Sequence, residues 1–252
     1  MTTIETTFDA FLGGRITLEQ PTKGYRAGVD PVLLAASVPA RAGQSVLELG
    51  CGTGAALLCL ASRVEDLDLR GIEMQPHYAD LCRANVDANR FGATIYTADL
   101  RALPADLTAL SFDQILANPP YFQRNAGHSS PHEDRDIAFG GATKTQDWLD
   151  VAYRRLKPKG WLTLIQKADR LPEILRALDA RFGSITVTPI VGRHGRNADR
   201  FILRVRKHGM TPFALNAPVV LHQGDTHLRD GEDYHPNIKA VLRDGAQFPF
   251  PD

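Results

Sequence analysis

Cysteine is scarce in this chain of 252 residues: only Cys51, Cys59 and Cys82 occur, and no two of them form a C-x-x-C pair. Such an odd, unpatterned set excludes a disulfide framework and suits a reducing cytoplasm. An excess of either charge is also missing, with 29 Lys and Arg against 29 Asp and Glu. Without a global basic field to hold a polyanion, any nucleic-acid contact must come from a local patch. No apolar run approaches membrane-spanning length. The first twenty residues, with Glu5, Asp9, Arg15 and Glu19 among polar threonines, lack the apolar centre of a signal peptide. The expected location is therefore the cytoplasm, with no membrane partner. There is no internal repeat and no low-complexity tract. The remainder, 43% hydrophobic and 23% charged, is enough for one sizeable core.

Residues 8–20 read as two extended pieces around Gly13-Gly14, a hairpin. Asp30 suits a helix N-cap, with Pro31 at the first helical position. From Ser45 strands and helices alternate. Strands are expected at 45–49, 68–74, 93–99, 112–118 and 161–166, and helices at 54–63, 76–90, 145–157 and 171–181. Residues 184–191 and 200–207 read as an antiparallel closing pair. A strand at 218–222 and a short helix after Pro236 complete the tail. The fold class is α/β, a doubly wound, mostly parallel sheet with an antiparallel closing strand. The expected organisation is an N-terminal hairpin and helix extension over 1–40, a core over 41–207 and a C-terminal extension over 208–252.

Glu48-Leu-Gly50-Cys-Gly52-Thr-Gly54 follows a strand and opens a helix. Glycines there let backbone pass close to a ligand. The G-x-G-x-G spacing disfavours a nicotinamide dinucleotide, whose loop is G-x-G-x-x-G. An acid just before the loop would repel phosphate but can hold the cationic amino-acid end of S-adenosylmethionine. Glu73 ends the second strand, placed to accept ribose hydroxyls. Asp99 ends the third, placed to accept an adenine amino group. Asn118-Pro119-Pro120-Tyr121 follows the fourth strand. An exocyclic amine is a poor nucleophile because its lone pair is delocalised into the ring. The Asn118 side-chain oxygen and the Pro119 carbonyl can accept both amino hydrogens, with the prolines fixing the backbone. The lone pair is then free to face a methyl group, by orientation and electrostatics rather than a strong base. Tyr121 can stack on a flat substrate.

These motifs resemble the class I, Rossmann-like amino-methyltransferases. The stretch Gln20-Pro21-x-x-Gly24-Tyr25-Arg26-Ala27-Gly28-Val29-Asp30-Pro31, Phe122 after the NPPY core, and Val219-Val220-Leu221-His222 leading to Tyr234 are similar to the bacterial valine-tRNA adenine N6-methyltransferase family. The resemblance covers roughly residues 8 to 243. It implies methylation of the adenine just 3′ of a tRNA anticodon. It also implies cofactor binding by Glu48, Gly50, Gly52, Gly54, Glu73 and Asp99, with Met74, Leu100 and Asn118 beside them. Tyr25, Arg26 and Asp30 would lie over the cofactor or help close the site. Two alternatives stay open: methylation of a glutamine amide in a protein such as a release factor, and a cofactor-binding module without catalysis.

Arg193, His194, Arg196, Arg200, Arg204, Arg206 and Lys207, broken by Asp199, form the candidate patch for an RNA backbone. The competing reading is an edge strand guarded by charge. No metal is expected: His128, His132 and Glu133 lack a matched third ligand. His222, His227 and His235 read as surface or capping residues. Trp148 and Trp161 read as packing residues.

Overall fold

Alternate side chains of each central strand enter two separate cores, which is what a sheet covered by helices on both faces requires. Val46, Leu69, Ile95 and Leu116 point into one core, and Leu47, Leu49, Ile72, Ile115 and Ala117 into the other. The computed structural model describes residues 5–120, 143–224 and 233–251. Its strands are β1 (Thr6–Phe11), β2 (Ile16–Pro21), β3 (Ser45–Leu49), β4 (Asp68–Glu73), β5 (Ala93–Thr97), β6 (Phe112–Ala117), β7 (Leu156–Lys167), β8 (Phe182–Val191), β9 (Ala198–Lys207), β10 (Ala214–Leu215) and β11 (Val219–Val220). Its helices are α1 (Val29–Ser37), α2 (Ala55–Arg63), α3 (Pro76–Ala88), α4 (Ala105–Thr108), α5 (Thr145–Arg155), α6 (Leu171–Ala177) and α7 (Pro236–Asp244).

The large sheet runs β10-β8-β9-β7-β6-β3-β4-β5, with β11 also on β8. Strands β5, β4, β3, β6 and β7 are mutually parallel. β9 is antiparallel to both β7 and β8, which gives the closing strand. The strand order reverses between β3 and β6, so their carboxyl ends flank the crevice where open α/β sheets bind ligands. Helices α1, α2, α3 and α7 cover one face, and α4, α5 and α6 the other.

Several boundaries differ from expectation. α1 begins at Val29 after Gly28, so Asp30 is a first-turn acid rather than the N-cap, and Pro31 lies at the third position. In the first turn no amide needs an intrahelical partner, so Pro31 costs nothing there. α5 stops at Arg155, and β7 starts at once and runs through Pro158 and Gly160. The pairing with β6 shifts between Phe112 and Gln114, which lets Pro158 pass without donating to the ladder. α6 is shorter than expected, ending at Ala177. The strand expected at 218–222 shrinks to Val219–Val220, continued by a bridge between His222 and Tyr234.

The β1–β2 hairpin stands outside the large sheet but not outside the core. Leu12, Ile16 and Leu18 are buried with Val241 and Leu242 of α7. The open edge of β2 is covered by two asparagines one turn apart, Asn85 in the last turn of α3 and Asn89 capping its end. Asn85 accepts from the Glu19 amide at 2.7 Å and donates to its carbonyl at 3.0 Å. Asn89 does the same for Thr17, at 3.0 and 2.8 Å. The side chains thus replace a third strand and satisfy the edge. Among the described residues no helix is long and apolar enough to cross a membrane.

Candidate active site at the sheet switch point

The glycine loop leaves β3 with Gly50, Gly52 and Gly54 all at positive φ, 65°, 53° and 89°. Two of the three are also hemmed in. A Cβ on Gly50 would meet the Trp148 ring at 2.8 Å, and one on Gly54 would meet Cys82 Sγ at 2.8 Å. Gly52 instead lies under Tyr25, whose ring would stand 3.6 Å from an added Cβ. The loop is therefore floored by α3, flanked by Trp148 of α5 and roofed in part by Tyr25.

Glu48 is buried at 3% exposure. It accepts from the Leu57 amide in the first turn of α2. Its other oxygen, Oε2, is buried with no hydrogen-bond partner. Burial, with lesser contributions from Cys82 and Glu73, pushes its carboxyl well above the usual range. An orphaned carboxylate oxygen beside an open glycine loop matches a ligand that brings its own cation, as the ammonium of S-adenosylmethionine does. The residues present therefore fit that cofactor.

Glu73 accepts from the Gly52 amide at 3.0 Å and the Gln75 amide at 2.8 Å, which ties β4 to the glycine loop. Burial raises its carboxyl pKa while these amides pull it back. Each carboxylate oxygen keeps a lone pair for a diol. Asp99 lies two residues past β5 and is held by Arg101, which lowers its pKa. Met74 is half-buried and Leu100 buried, flanking those acids. Cys51 and Cys82 share a hydrogen bond beneath the loop, and that bond with burial pushes the Cys51 thiol up. All three cysteines are free and buried.

Asn118 follows β6 directly across the crevice. Its Nδ2 donates to the Tyr25 hydroxyl at 3.4 Å, a long contact. The Pro119 carbonyl accepts from Gln166 Nε2 at 3.0 Å. Pro120 is exposed. Tyr121, Phe122, His128, His132, Glu133 and His227 lie outside the described residues.

The sequence puts Tyr25, Arg26 and Asp30 over the cofactor or at the closing of the site; of the three, Tyr25 lies over Gly52 of the glycine loop. Arg26 turns away to Thr7, to the Pro21 carbonyl at 2.8 Å and to Asp9. Asp30 pairs with Arg200 of β9 at 3.0 Å. The Tyr78 hydroxyl of α3 accepts from the Tyr25 amide at 2.8 Å and donates to its carbonyl at 3.2 Å, and the Gln20 side-chain Oε1 accepts from the Ala27 amide at 2.7 Å. Tyr25 is exposed as a whole, but desolvation at its hydroxyl and the carboxylates of Glu48 and Asp30 push the phenol up. Tyr78, Gln20, Trp148 and Gln166 were not singled out as site residues. Trp148 was read as packing, and it packs on the glycine loop itself.

The basic run does not form one free face. Arg193 is bound to the Gln223 carbonyl and Asp233, and Arg200 to Asp30. Arg204 lies between Trp161 and Phe250, at 5.1 and 4.7 Å from the ring centres. Arg206 donates to the Lys159 carbonyl, and Lys207 to those of Tyr153 and Leu156. His194 and Arg196, in the β8–β9 turn, are exposed. β9 lies between β7 and β8 rather than at an edge, and alternation along it puts Arg204 and Arg206 on the Ile202 face, where Arg204 meets Trp161 and Phe250, so the edge-guard reading fails as well. His222 is no free surface residue either: its Nδ1 pairs with Asp233 at 2.6 Å and its ring stacks on Tyr234.

The family described as methyltransferase small domain matches residues 27–193. The chain belongs to that family. It is an S-adenosylmethionine-dependent methyltransferase of the class I, Rossmann-like fold. A similar protein, the tRNA1(Val) (adenine(37)-N6)-methyltransferase of Porphyromonas gingivalis, is 33% identical over 196 residues, covering 72% of this methyltransferase and 74% of the relative. The solved structure of a predicted O-methyltransferase from Agrobacterium tumefaciens superposes with a TM-score of 0.69 at 23% identity, over 86% of this chain and 96% of that one. A 16S rRNA N2 methyltransferase from Thermus thermophilus, solved with AdoMet and guanosine, gives a TM-score of 0.54 at 22% identity, over 81% and 51%. At those identities the two structures speak to the fold.

Proposed function

We propose that this methyltransferase moves a methyl group from S-adenosylmethionine to an exocyclic amino nitrogen, adenine N6 in a tRNA near the anticodon. The observation that carries the reading is the meeting, at the switch point, of an orphaned buried carboxylate with the Asn118-Pro119 acceptor pair. The name of the Porphyromonas relative supports the acceptor. Bound cofactor supplies an electrophilic methyl on a sulfonium. Glu48 would hold its ammonium, Gly50 and Gly52 would give it room at the loop, and Glu73 would take the ribose hydroxyls. Asp99 would receive the adenine amine, Met74 and Leu100 would flank the ring, and Gly54 turns the loop into α2. Asn118 Oδ1 and the Pro119 carbonyl accept the two amino hydrogens of the substrate, so its lone pair turns toward the methyl group. Pro120 stiffens that turn, and Tyr121 is the residue whose ring would stack on the base.

On this reading residues 1–40 and 208–252 are extensions of a core spanning 41–207. RNA phosphates meet the β8–β9 turn at His194 and Arg196. The free thiols of Cys51, Cys59 and Cys82 suit a reducing cytoplasm.

The test is incubation with labelled S-adenosylmethionine and unmodified bulk tRNA, followed by digestion to nucleosides. Label in N6-methyladenosine supports the reading. No RNA label, with cofactor binding shown by calorimetry, overturns the RNA substrate in favour of a glutamine amide or another amine. Asn118→Ala should lose about 10²–10³-fold in kcat, the scale of one lost preorganised hydrogen-bonding group. Near wild-type turnover in that variant, with cofactor binding intact, removes the mechanism.

A further inference from the structure

Pro119 and Pro120 have no amide hydrogens, so the β6–β7 ladder ends where the substrate acceptors begin. The register pairs Ala117 with Leu164, and two residues on it brings Pro119 opposite Gln166. Gln166 is buried at 1% exposure, and both ends of its amide are committed. Oε1 accepts from the Lys167 amide at 2.8 Å, and Nε2 donates to the Pro119 carbonyl at 3.0 Å. A backbone amide can only donate, so the Lys167 bond fixes which end of the side chain faces Pro119. The carbonyl oxygen has two lone pairs. Gln166 takes one and leaves the other for an amine hydrogen.

We infer that Gln166 is a positioning residue for methyl transfer: it aims the Pro119 carbonyl at the acceptor amine. This rests on the amine-methylating reading above. A purely structural Gln166 would satisfy the orphan carbonyl without setting the reaction geometry. A small displacement of a reacting or orienting group costs up to ~100-fold in rate, so the two roles separate in kcat.

The experiment uses the full chain with bulk tRNA and labelled S-adenosylmethionine, comparing wild type, Gln166→Leu and Gln166→Glu. Wild type must first label N6-methyladenosine; if it does not, the parent reading fails and Gln166 is not the cause. With an active wild type, Gln166→Leu should lower kcat roughly 10- to 100-fold while cofactor Kd stays within about twofold. A kcat within about twofold of wild type overturns the inference. Should Gln166→Leu lose cofactor binding through misfolding, Gln166→Glu decides. Its protonated carboxyl can still donate to Pro119 and accept from Lys167, whereas its carboxylate faces the carbonyl with no hydrogen. The ratio of its kcat to wild type should fall as pH rises through its titration. A pH-independent ratio overturns the inference.

Discussion

The Tyr25 hydroxyl meets the Asn118 amide at 3.4 Å, joining the N-terminal segment to the end of β6 across the glycine loop. With Nδ2 turned to the phenol, Asn118 Oδ1 is left for a substrate amine. Tyr25→Phe removes that orienting contact but keeps the ring over Gly52. It should lower kcat by about 3- to 10-fold, a typical net hydrogen bond of roughly 1 kcal/mol, with cofactor Kd unchanged. Tyr25→Ala also uncovers Gly52, so Kd should rise too. Steady-state kinetics and calorimetry on both variants separate the two effects.

Glu48 ties cofactor affinity to pH. Its carboxyl titrates well above the ordinary value of 4.5 because it is buried. Below that raised pKa it is neutral and offers no charge to an ammonium. Cofactor affinity should therefore rise with pH through the titration, and Glu48→Gln should flatten the profile and weaken binding by roughly 10- to 100-fold. The sign for the protein without cofactor is opposite. A raised acid binds its proton more tightly in the folded state, so its contribution to stability is lost as pH rises from the ordinary carboxylate range through the folded pKa. Relative to Glu48→Gln, the wild-type Tm should fall as pH rises over that window. A constant difference would show that Glu48 is not buried as described.

The parallel core was legible in the sequence because each strand is a short apolar run stopped by glycine, acid or proline. Residues 45–49 matched to the residue, and the acids and glycines that follow share one sheet edge. Long-range ties were not legible. Arg26 and Asp30 adjoin Tyr25 in sequence, yet one serves the β1–β2 hairpin and the other β9. Charge clustering likewise overstated the basic patch, because spacing along β9 says nothing about the aromatic rings of Trp161 and Phe250 that receive Arg204. Gln166 carried no local signal. Its meaning comes from the register between β6 and β7.

Gly50 and Trp148 should be energetically coupled. Gly50→Ala places a methyl 2.8 Å from the Trp148 ring and forces an L residue to a φ of 65°. The backbone part costs about 1–2 kcal/mol, and overpacking adds about 1–3 kcal/mol. Trimming the ring with Trp148→Leu in the Gly50→Ala background should recover the second part only. A double-mutant cycle in denaturant that shows simple additivity would remove the contact.

Arg196 and Arg204, eight residues apart in one basic run, should respond in opposite ways. Arg204 lies between two aromatic rings and is desolvated enough to lower its pKa. Arg204→Ala should cost about 2 kcal/mol of stability through lost cation–π contact and packing, and leave RNA affinity intact. Arg196 is exposed in the β8–β9 turn. Arg196→Glu should leave Tm nearly unchanged, weaken tRNA binding, and reduce the slope of log affinity against log salt by about 1 for the lost phosphate contact. Filter binding across a salt series, alongside thermal melts, reads both. If Arg204→Ala weakens RNA binding while Arg196→Glu does not, the RNA surface lies toward Trp161 and the C-terminal segment at Phe250, where Arg204 packs, and not at the turn.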